Sequence, residues 1–291
     1  MLVAPQLVGA HQFTAWSVAQ PEPGVSSPTA ADGCPIESPN GLRLFFASNR
    51  NPIGGASDTN DIWVAERSSV EDVFDTPVQL PAPVNSTAAD FCPTPLNGKR
   101  LLFVSARAIP GACGAGDIYI TRDHPVRGWE TPTNLGCSAT GAGPNSAGGE
   151  FSPSLVETAQ GTLLYFSSPG QGGLQDIYVS LQRPDGSFAP GTPVSEVNLA
   201  GFHDQMPNVS RDGLEMAFVS DRTGGAGSFD VYVSTRPTTA DPWSAPVNLG
   251  PAVNTAAGES RPSLSGDGHR LHFGRLGDIW VSTRVQMIGP R

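Results

Sequence analysis

From Asp204 to Val233 the chain reads DQMPNVSRDGLEMAFVSDRTGGAGSFDVYV. Two short runs, MPNVS and EMAFVS, alternate apolar and polar residues, and a third, DVYV, is β-branched and aromatic, the pattern of strands. An RDG turn separates the first two runs, and the glycines of DRTGGAGS supply the positive φ that a tight loop needs. Three strands joined by turns are predicted. Elsewhere no window of a dozen residues keeps a helical period without a Gly or Pro breaking it, so the chain as a whole is expected to be all-β.

The same hydrophobic pattern recurs. DGCPIES with LRLFFASNR and DIWVAER forms one copy, DFCPTPL with LLFVSAR and DIYITR a second, EFSPSL with TLLYFSS and DIYVSLQR a third, and ESRPSLS with LHFGR and DIWVSTR a fifth. Aligned on Pro35, Pro93, Pro153, Pro207 and Pro262, the copies step by 58, 60, 54 and 55 residues, the signature of a repeat array. A fourth, outer strand follows in FDTPVQL, WETPTNL and WSAPVNL, with an aromatic at Phe74, Trp129, Phe188 or Trp243. The fifth unit lacks one, while FTAWSVA from Phe13 is an outer strand without a unit. The expectation is a five-bladed β-propeller of four-stranded blades over residues 11–285, closed by the N-terminal strand completing the last blade, with tails at 1–10 and 286–291. Closure removes the exposed sheet edges of an open array. Solenoid rungs are shorter than these units, and sandwiches would not repeat so evenly.

Composition narrows the function classes. The formal charge is −10 and Lys99 is the sole lysine, which excludes the clustered basic surface of a nucleic-acid binder. No apolar run approaches the length of a membrane span, and the first residues, MLVAPQLVGAHQF, lack the charged start and long apolar core of a leader. Four cysteines fall on one side of the blades. Cys113 lies in the loop between strands two and three of unit two and Cys137 just after its outer strand, a pair that can bridge; Cys34 and Cys92 occupy equivalent places in adjacent units and can meet near the axis, with free thiols as the alternative. Two such bridges point to an oxidising compartment: periplasmic, secreted or cell-envelope, a cytoplasmic address staying open.

The pattern PNVSRDGLEMAFVSDRTGGAGSFDVYV, with weaker copies in the other four units, resembles the WD40-like PD40 repeats of TolB-type propellers. The resemblance covers nearly the whole chain. It implies the fold, and it implies for function a family of periplasmic partner-binding domains, cell-envelope proteins and propellers attached to peptidases.

Chemistry is sought where the repeat is most regular. Three positions before each repeat proline stands an acid: Asp32, Asp90, Glu150, Asp204 and Glu259. Placed at the mouth of a central channel, such a ring needs cations, guanidinium partners or protonation, because carboxylates ~8 Å apart repel by roughly 2 kcal/mol. Arginines end the second strands at Arg50, Arg107, Arg222 and Arg275, whereas unit three carries Pro169 there, so Glu150 is expected to be the least compensated acid, with a raised pKa. His203 beside Asp204 is a candidate base or ligand. A second series, Asp61, Asp117, Asp176, Asp230 and Asp278, opens the third strands and is expected to accept bonds from loop amides, with Asp58 and Asp61 the only paired instance for calcium. No HExxH, CxxC or G-x-S-x-G stretch is present, so zinc and a serine nucleophile are without support.

The leading expectation is therefore a monomeric, non-enzymatic scaffold that binds a small ligand, carbohydrate included, a cation such as calcium, or a protein partner at an acidic channel mouth built from these five acids, His203 and the four arginines. The alternative is a glycoside hydrolase. Five-bladed glycosidases resemble this architecture and set two Asp and one Glu on successive blades, an order that Asp32, Asp90 and Glu150 reproduce, with Glu150 as the acid.

Overall fold

A computed structural model describes residues 7–8, 11–53, 59–169 and 173–287. Three short strands, β1 (Leu7–Val8), β2 (His11–Phe13) and β24 (Gln286–Met287), form a small sheet that joins the two ends of the propeller. The remaining strands form five antiparallel sheets in chain order. Blade I is β4 (Asp32–Glu37), β5 (Arg43–Ser48), β6 (Asp61–Glu66) and β7 (Val78–Gln79). Blade II is β8 (Asp90–Leu96), β9 (Arg100–Ser105), β10 (Asp117–His124) and β12 (Thr133–Asn134), with β11 (Gly128–Trp129) paired to the far end of β10. Blade III is β13 (Phe151–Thr158), β14 (Gly161–Pro169), β15 (Gln175–Leu181) and β16 (Thr192–Pro193). Blade IV is β17 (Asp204–Val209), β18 (Glu215–Ser220), β19 (Asp230–Thr235) and β20 (Val247–Asn248). Blade V is β21 (Glu259–Leu264), β22 (Arg270–Arg275) and β23 (Asp278–Thr283), completed by β3 (Gln20–Pro21) from the N-terminal side.

The ring closes by the strand exchange expected, but not with the residues expected. Phe13 pairs with Gln286 in the small sheet, and the closing strand is Gln20–Pro21, which pairs with Val281 and Trp280. In blades I, IV and V the aromatic that flags the outer segment is a packing residue, and pairing begins four positions later. Trp16 precedes Gln20 as Phe74 precedes Val78, and both rings are buried.

Burial is organised by junction. Five apolar clusters form, one between each pair of neighbouring blades; that between blades V and I gathers Val25, Leu44, Phe46, Phe74 and Ile279. Each blade therefore buries its faces only against its neighbours, as the even spacing of the repeat requires.

Each innermost strand carries the same irregularity. The pairing register slips between Gly33 and Ile36, Phe91 and Thr94, Phe151 and Ser154, Gln205 and Asn208, and Ser260 and Ser263. Within each slip lies a non-glycine residue of positive φ, namely Cys34 (50°), Cys92 (47°), Ser152 (53°), Met206 (58°) and Arg261 (41°). The repeat proline follows it. A β-bulge leaves one residue out of the ladder, so a residue without an N–H fits there at no cost in pairing. Left-handed φ costs such residues of order 1–3 kcal/mol each and persists only where the surroundings impose it. Here it turns five side chains toward the axis at one level.

Candidate functional site

The five acids are internal latches. Asp32, Asp90, Glu150, Asp204 and Glu259 are all buried, none more than 4% exposed. Asp32 accepts from the Ser27 N–H at 2.5 Å and from Arg50 Nη2 at 2.6 Å. In blade II, Asp90 accepts from the Ser86 N–H at 2.7 Å and from Arg107 Nη2 at 2.7 Å. Leu199 N–H and Arg222 hold Asp204, and Thr255 with Arg275 holds Glu259. The arginines complete the device by donating to carbonyls of the incoming segment, at Val25, Val84, Val197 and Val253. Each guanidinium also lies against two rings of its own blade; Arg222 is 5.4 Å from the Phe218 centroid and 4.9 Å from that of Tyr232. Sequence position thus located the acids and arginines in one place, and the fold turns that place inward: the carboxylates fasten each blade to the segment arriving from the blade before.

Blade III departs from this pattern. Phe166 and Tyr178 keep the paired-ring geometry of the other blades, 6.0 Å between centroids, but Pro169 supplies no guanidinium. Glu150 is left with hydroxyl and amide donors only, the Ser146 N–H at 2.9 Å and Ser168 Oγ at 2.9 Å. Burial without a cation pushes its pKa up to about 7, the hydrogen bonds opposing the shift only in part.

The second acids divide likewise. Asp61, Asp117 and Asp230 accept loop N–H groups from Ile53, Cys113 with Gly114, and Ala226 with Gly227, and each is also held by an amide side chain of the outer strand, Gln79, Asn134 or Asn248. Blade III has Pro193 in place of that amide, and Asp176 accepts no hydrogen bond among the described residues; burial raises its pKa, with Asp204 adding to the shift. Asp58, Gly54 and Gly55 lie outside the described residues. Among the described residues no group of three or more His, Cys, Asp or Glu is placed to hold a metal ion. His203 Nδ1 accepts from the Gln175 N–H at 3.0 Å, and its ring meets Phe229 edge-on, so its position is set by the blade III–IV junction.

One repeated device was not anticipated. Asn85, Asn145, Asn198 and Asn254 each bridge a blade junction, accepting from the N–H and donating to the C=O of one residue in the preceding third strand; Asn254 spans Val231 at 2.8 and 3.0 Å. The recurring Val-Asn pairs at 84–85, 197–198 and 253–254 were its signal.

At the level of the bulges the axial bore is closed. Cys34 and Cys92 are joined by a disulfide with Cα atoms 4.9 Å apart, linking blades I and II. Ser152 Oγ lies 3.4 Å from Cys92 Sγ, and the Arg261 N–H meets Met206 Sδ at 3.3 Å. The second disulfide, Cys113 to Cys137 with Cα atoms 5.5 Å apart, ties the blade II loop to the segment leaving its outer strand. Arg261 itself reaches from blade V across the axis. Its Nη2 donates to Thr94 Oγ1 at 3.0 Å in blade II and lies 3.4 Å from the Pro153 carbonyl in blade III. The side chain is fully buried with no carboxylate beside it, and desolvation brings its pKa down to about 9.

Beyond Arg261 the bore widens into a funnel of about 290 Å³, lined by the far ends of all five inner strands. Its floor holds Ile36, Thr94, Ser154 and Asn208, each four residues after a latch acid, while Leu264 lines it from blade V; Ser263, at the matching place in blade V, is buried. Three of the floor residues join neighbouring blades: Thr94 donates to the Pro153 carbonyl, Ser154 accepts from Val209 N–H, and Asn208 accepts from Leu264 N–H. At the rim stand Arg100, Glu157 and Arg211, the last two exposed.

No protein-family model matches the chain, and no curated protein matches it. Among solved structures, the catalytic domain of the GH62 α-L-arabinofuranosidase of Coprinopsis cinerea is 13% identical with a TM-score of 0.61, over 93% of this chain and 97% of that one. The endo-arabinase of Bacteroides thetaiotaomicron is also 13% identical, with a TM-score of 0.58 over 92% of this chain and 98% of that one. TolB from Acinetobacter baumannii is 16% identical with a TM-score of 0.45 over 87% of this chain, which spans 54% of the TolB chain. The likeness to the first two is one of fold. No helix among the described residues is long and apolar enough to cross a membrane.

Proposed function

We propose that this propeller, one domain over residues 11–285, is a non-enzymatic binding scaffold that receives a small ligand, or a slender element of a protein partner, in the funnel, and that it works as a monomer in an oxidising, periplasmic, secreted or envelope compartment. The observation that carries the reading is the one-ended bore. The end with the five acids is closed by a disulfide and by Arg261, whereas the opposite end opens into a concave site with polar side chains and charged groups at its rim. Its volume matches the lower limit of small-ligand sites, roughly 300 Å³. Two disulfides support the compartment.

The acids then serve as frame. This also weighs against glycoside hydrolysis through Asp32, Asp90 and Glu150, since such chemistry needs a carboxyl pair facing a sugar with room for it between them. Asp32 and Asp90 are sealed in ion pairs with Arg50 and Arg107, and Glu150 is closed from solvent.

A fragment screen by ligand-observed NMR tests the site. Hits are expected on the native protein and are expected to vanish in Leu155→Trp, which fills the funnel from its wall. Hits that persist unchanged in that variant would place binding elsewhere, and turnover of aryl glycosides abolished by Glu150→Gln would replace the scaffold with an enzyme.

A further inference from the structure

In blades II and IV one carboxamide of the outer strand completes a relay between two buried side chains. Asn134 Nδ2 donates to Asp117 Oδ2 at 2.7 Å, while its Oδ1 accepts from Asn145 Nδ2 at 2.9 Å and from the Gly136 N–H at 2.7 Å. Asn248 does the same between Asp230, Asn254 and the Gly250 N–H, each at 2.8 Å. Blade III keeps both ends of the relay and lacks the middle. Asp176 pairs with Ser168 as Asp117 pairs with Ser105, and Asn198 spans both backbone groups of Ile177 at 2.9 Å as Asn145 spans those of Ile118. At the central position, opposite Tyr178, stands Pro193, where Asn134 faces Tyr119 and Asn248 faces Tyr232.

Proline in that place leaves a cavity of about 330 Å³, lined among others by Asp176, Tyr178, Pro193, Ser195, Asn198 and Phe202. It shares no lining residue with the funnel. The three groups that a carboxamide satisfies in the sister blades are unpaired here among the described residues: the Asp176 carboxylate, the second hydrogen of Asn198 Nδ2 and the Ser195 N–H. Asp117, Asn145, Asp230 and Asn254 are at most 2% exposed, whereas Asp176 and Asn198 are half-buried, so the place is reachable from solvent. A half-buried carboxylate without a donor is disfavoured, and a ligand that brings the donor relieves it.

We infer that this cavity binds a small molecule through a primary carboxamide, which takes the place that the Asn134 and Asn248 side chains fill in blades II and IV. Its NH2 group donates to Asp176, and its oxygen accepts from Asn198 Nδ2 and from the Ser195 N–H, so donors and acceptors match one for one. A carboxylate sets like charges together at Asp176, and an ammonium offers no acceptor to Asn198 or Ser195. Tyr178 and Phe202 supply apolar contact for the group that carries the amide. This site lies beyond the funnel and does not depend on it.

The test uses the full chain, 15N-labelled, with benzamide, N,N-dimethylbenzamide, benzoate and benzylammonium titrated separately while the Asn198 side-chain amide and Ser195 N–H resonances are followed. Saturable shifts of both are expected with benzamide alone. Affinity is expected to be lower by about tenfold or more in Asp176→Ala, since the bond lost is one to a charged acceptor. Pro193→Asn supplies the amide from the chain itself, and is expected to raise the thermal midpoint and abolish the response. Pro193→Ala, which adds no amide, is expected to keep the response and so checks that the loss does not come from misfolding. Leu155→Trp, which fills the funnel, is expected to leave the titration unchanged, so that failure of this site and failure of the funnel are told apart. Benzamide that never saturates, any of the other three probes binding as tightly as benzamide, or a response unaltered in Pro193→Asn overturns the inference.

Discussion

Glu150 and Asp90 occupy the same position in successive blades and differ in one partner, the arginine. Because the folded Glu150 carboxyl titrates near 7 and an ordinary one near 4.5, the folded state keeps a proton between those pH values that the unfolded state has released. Stability from this group is therefore full below about 4.5 and declines as pH rises through 7, by up to ~3 kcal/mol. Glu150→Gln, which stays neutral, is expected to shrink the difference in urea-unfolding free energy between pH 5 and pH 8 by that order; an unchanged difference would mean that Glu150 is charged at both. At this scale the sequence was most and least legible. The substitution of Pro169 for a repeated arginine stood out in the alignment, and its consequence for Glu150 followed from charge alone. Arg261 did not stand out, because its column reads Cys, Cys, Ser, Met, Arg, the most divergent in the repeat. Regularity drew the eye to the acids, and regular positions turned out to hold the frame together.

Between elements, the bonds that matter run from a loop to the blade it has just left. Asn254 bonds both backbone groups of the wholly buried Val231, and since the Val231 carbonyl also accepts from the Leu249 N–H, Asn254→Ala orphans the Val231 N–H and removes one of the carbonyl's two bonds, at an expected cost of ~2 kcal/mol. At the equivalent place before blade I stands Ser26, which makes a single bond to the Ile279 N–H at 2.9 Å, and Ser26→Ala is expected to cost only ~1 kcal/mol. Chemical denaturation of the two variants side by side measures the contrast. Strands and turns were readable from alternation and from Gly and Pro placement, whereas the closing strand was displaced to Gln20–Pro21 because an aromatic that packs looks, in sequence, like an aromatic that pairs. Which end of the bore would be open was not readable at all. The bulge that turns Cys34, Cys92, Ser152, Met206 and Arg261 inward needs a left-handed backbone at residues with no intrinsic preference for it.

For the whole molecule, the ring depends on its seam and on the clamp between blades I and II. The Cys34 to Cys92 bridge spans 58 residues of sequence, and in the chain-entropy account such a link stabilises by ~4 kcal/mol. The double variant Cys34→Ser, Cys92→Ser is expected to lower the thermal midpoint by roughly 10 °C, given about 2–4 °C per kcal/mol for a chain of this size. A midpoint that does not move would show that the junction packing alone holds blades I and II together.

The same bridge has a kinetic consequence. With the bore shut behind Arg261, whatever occupies the funnel has one doorway for arrival and departure. A change at the rim that narrows the doorway without touching the occupant must slow both passages by one factor, leaving the dissociation constant where it was while the residence time lengthens.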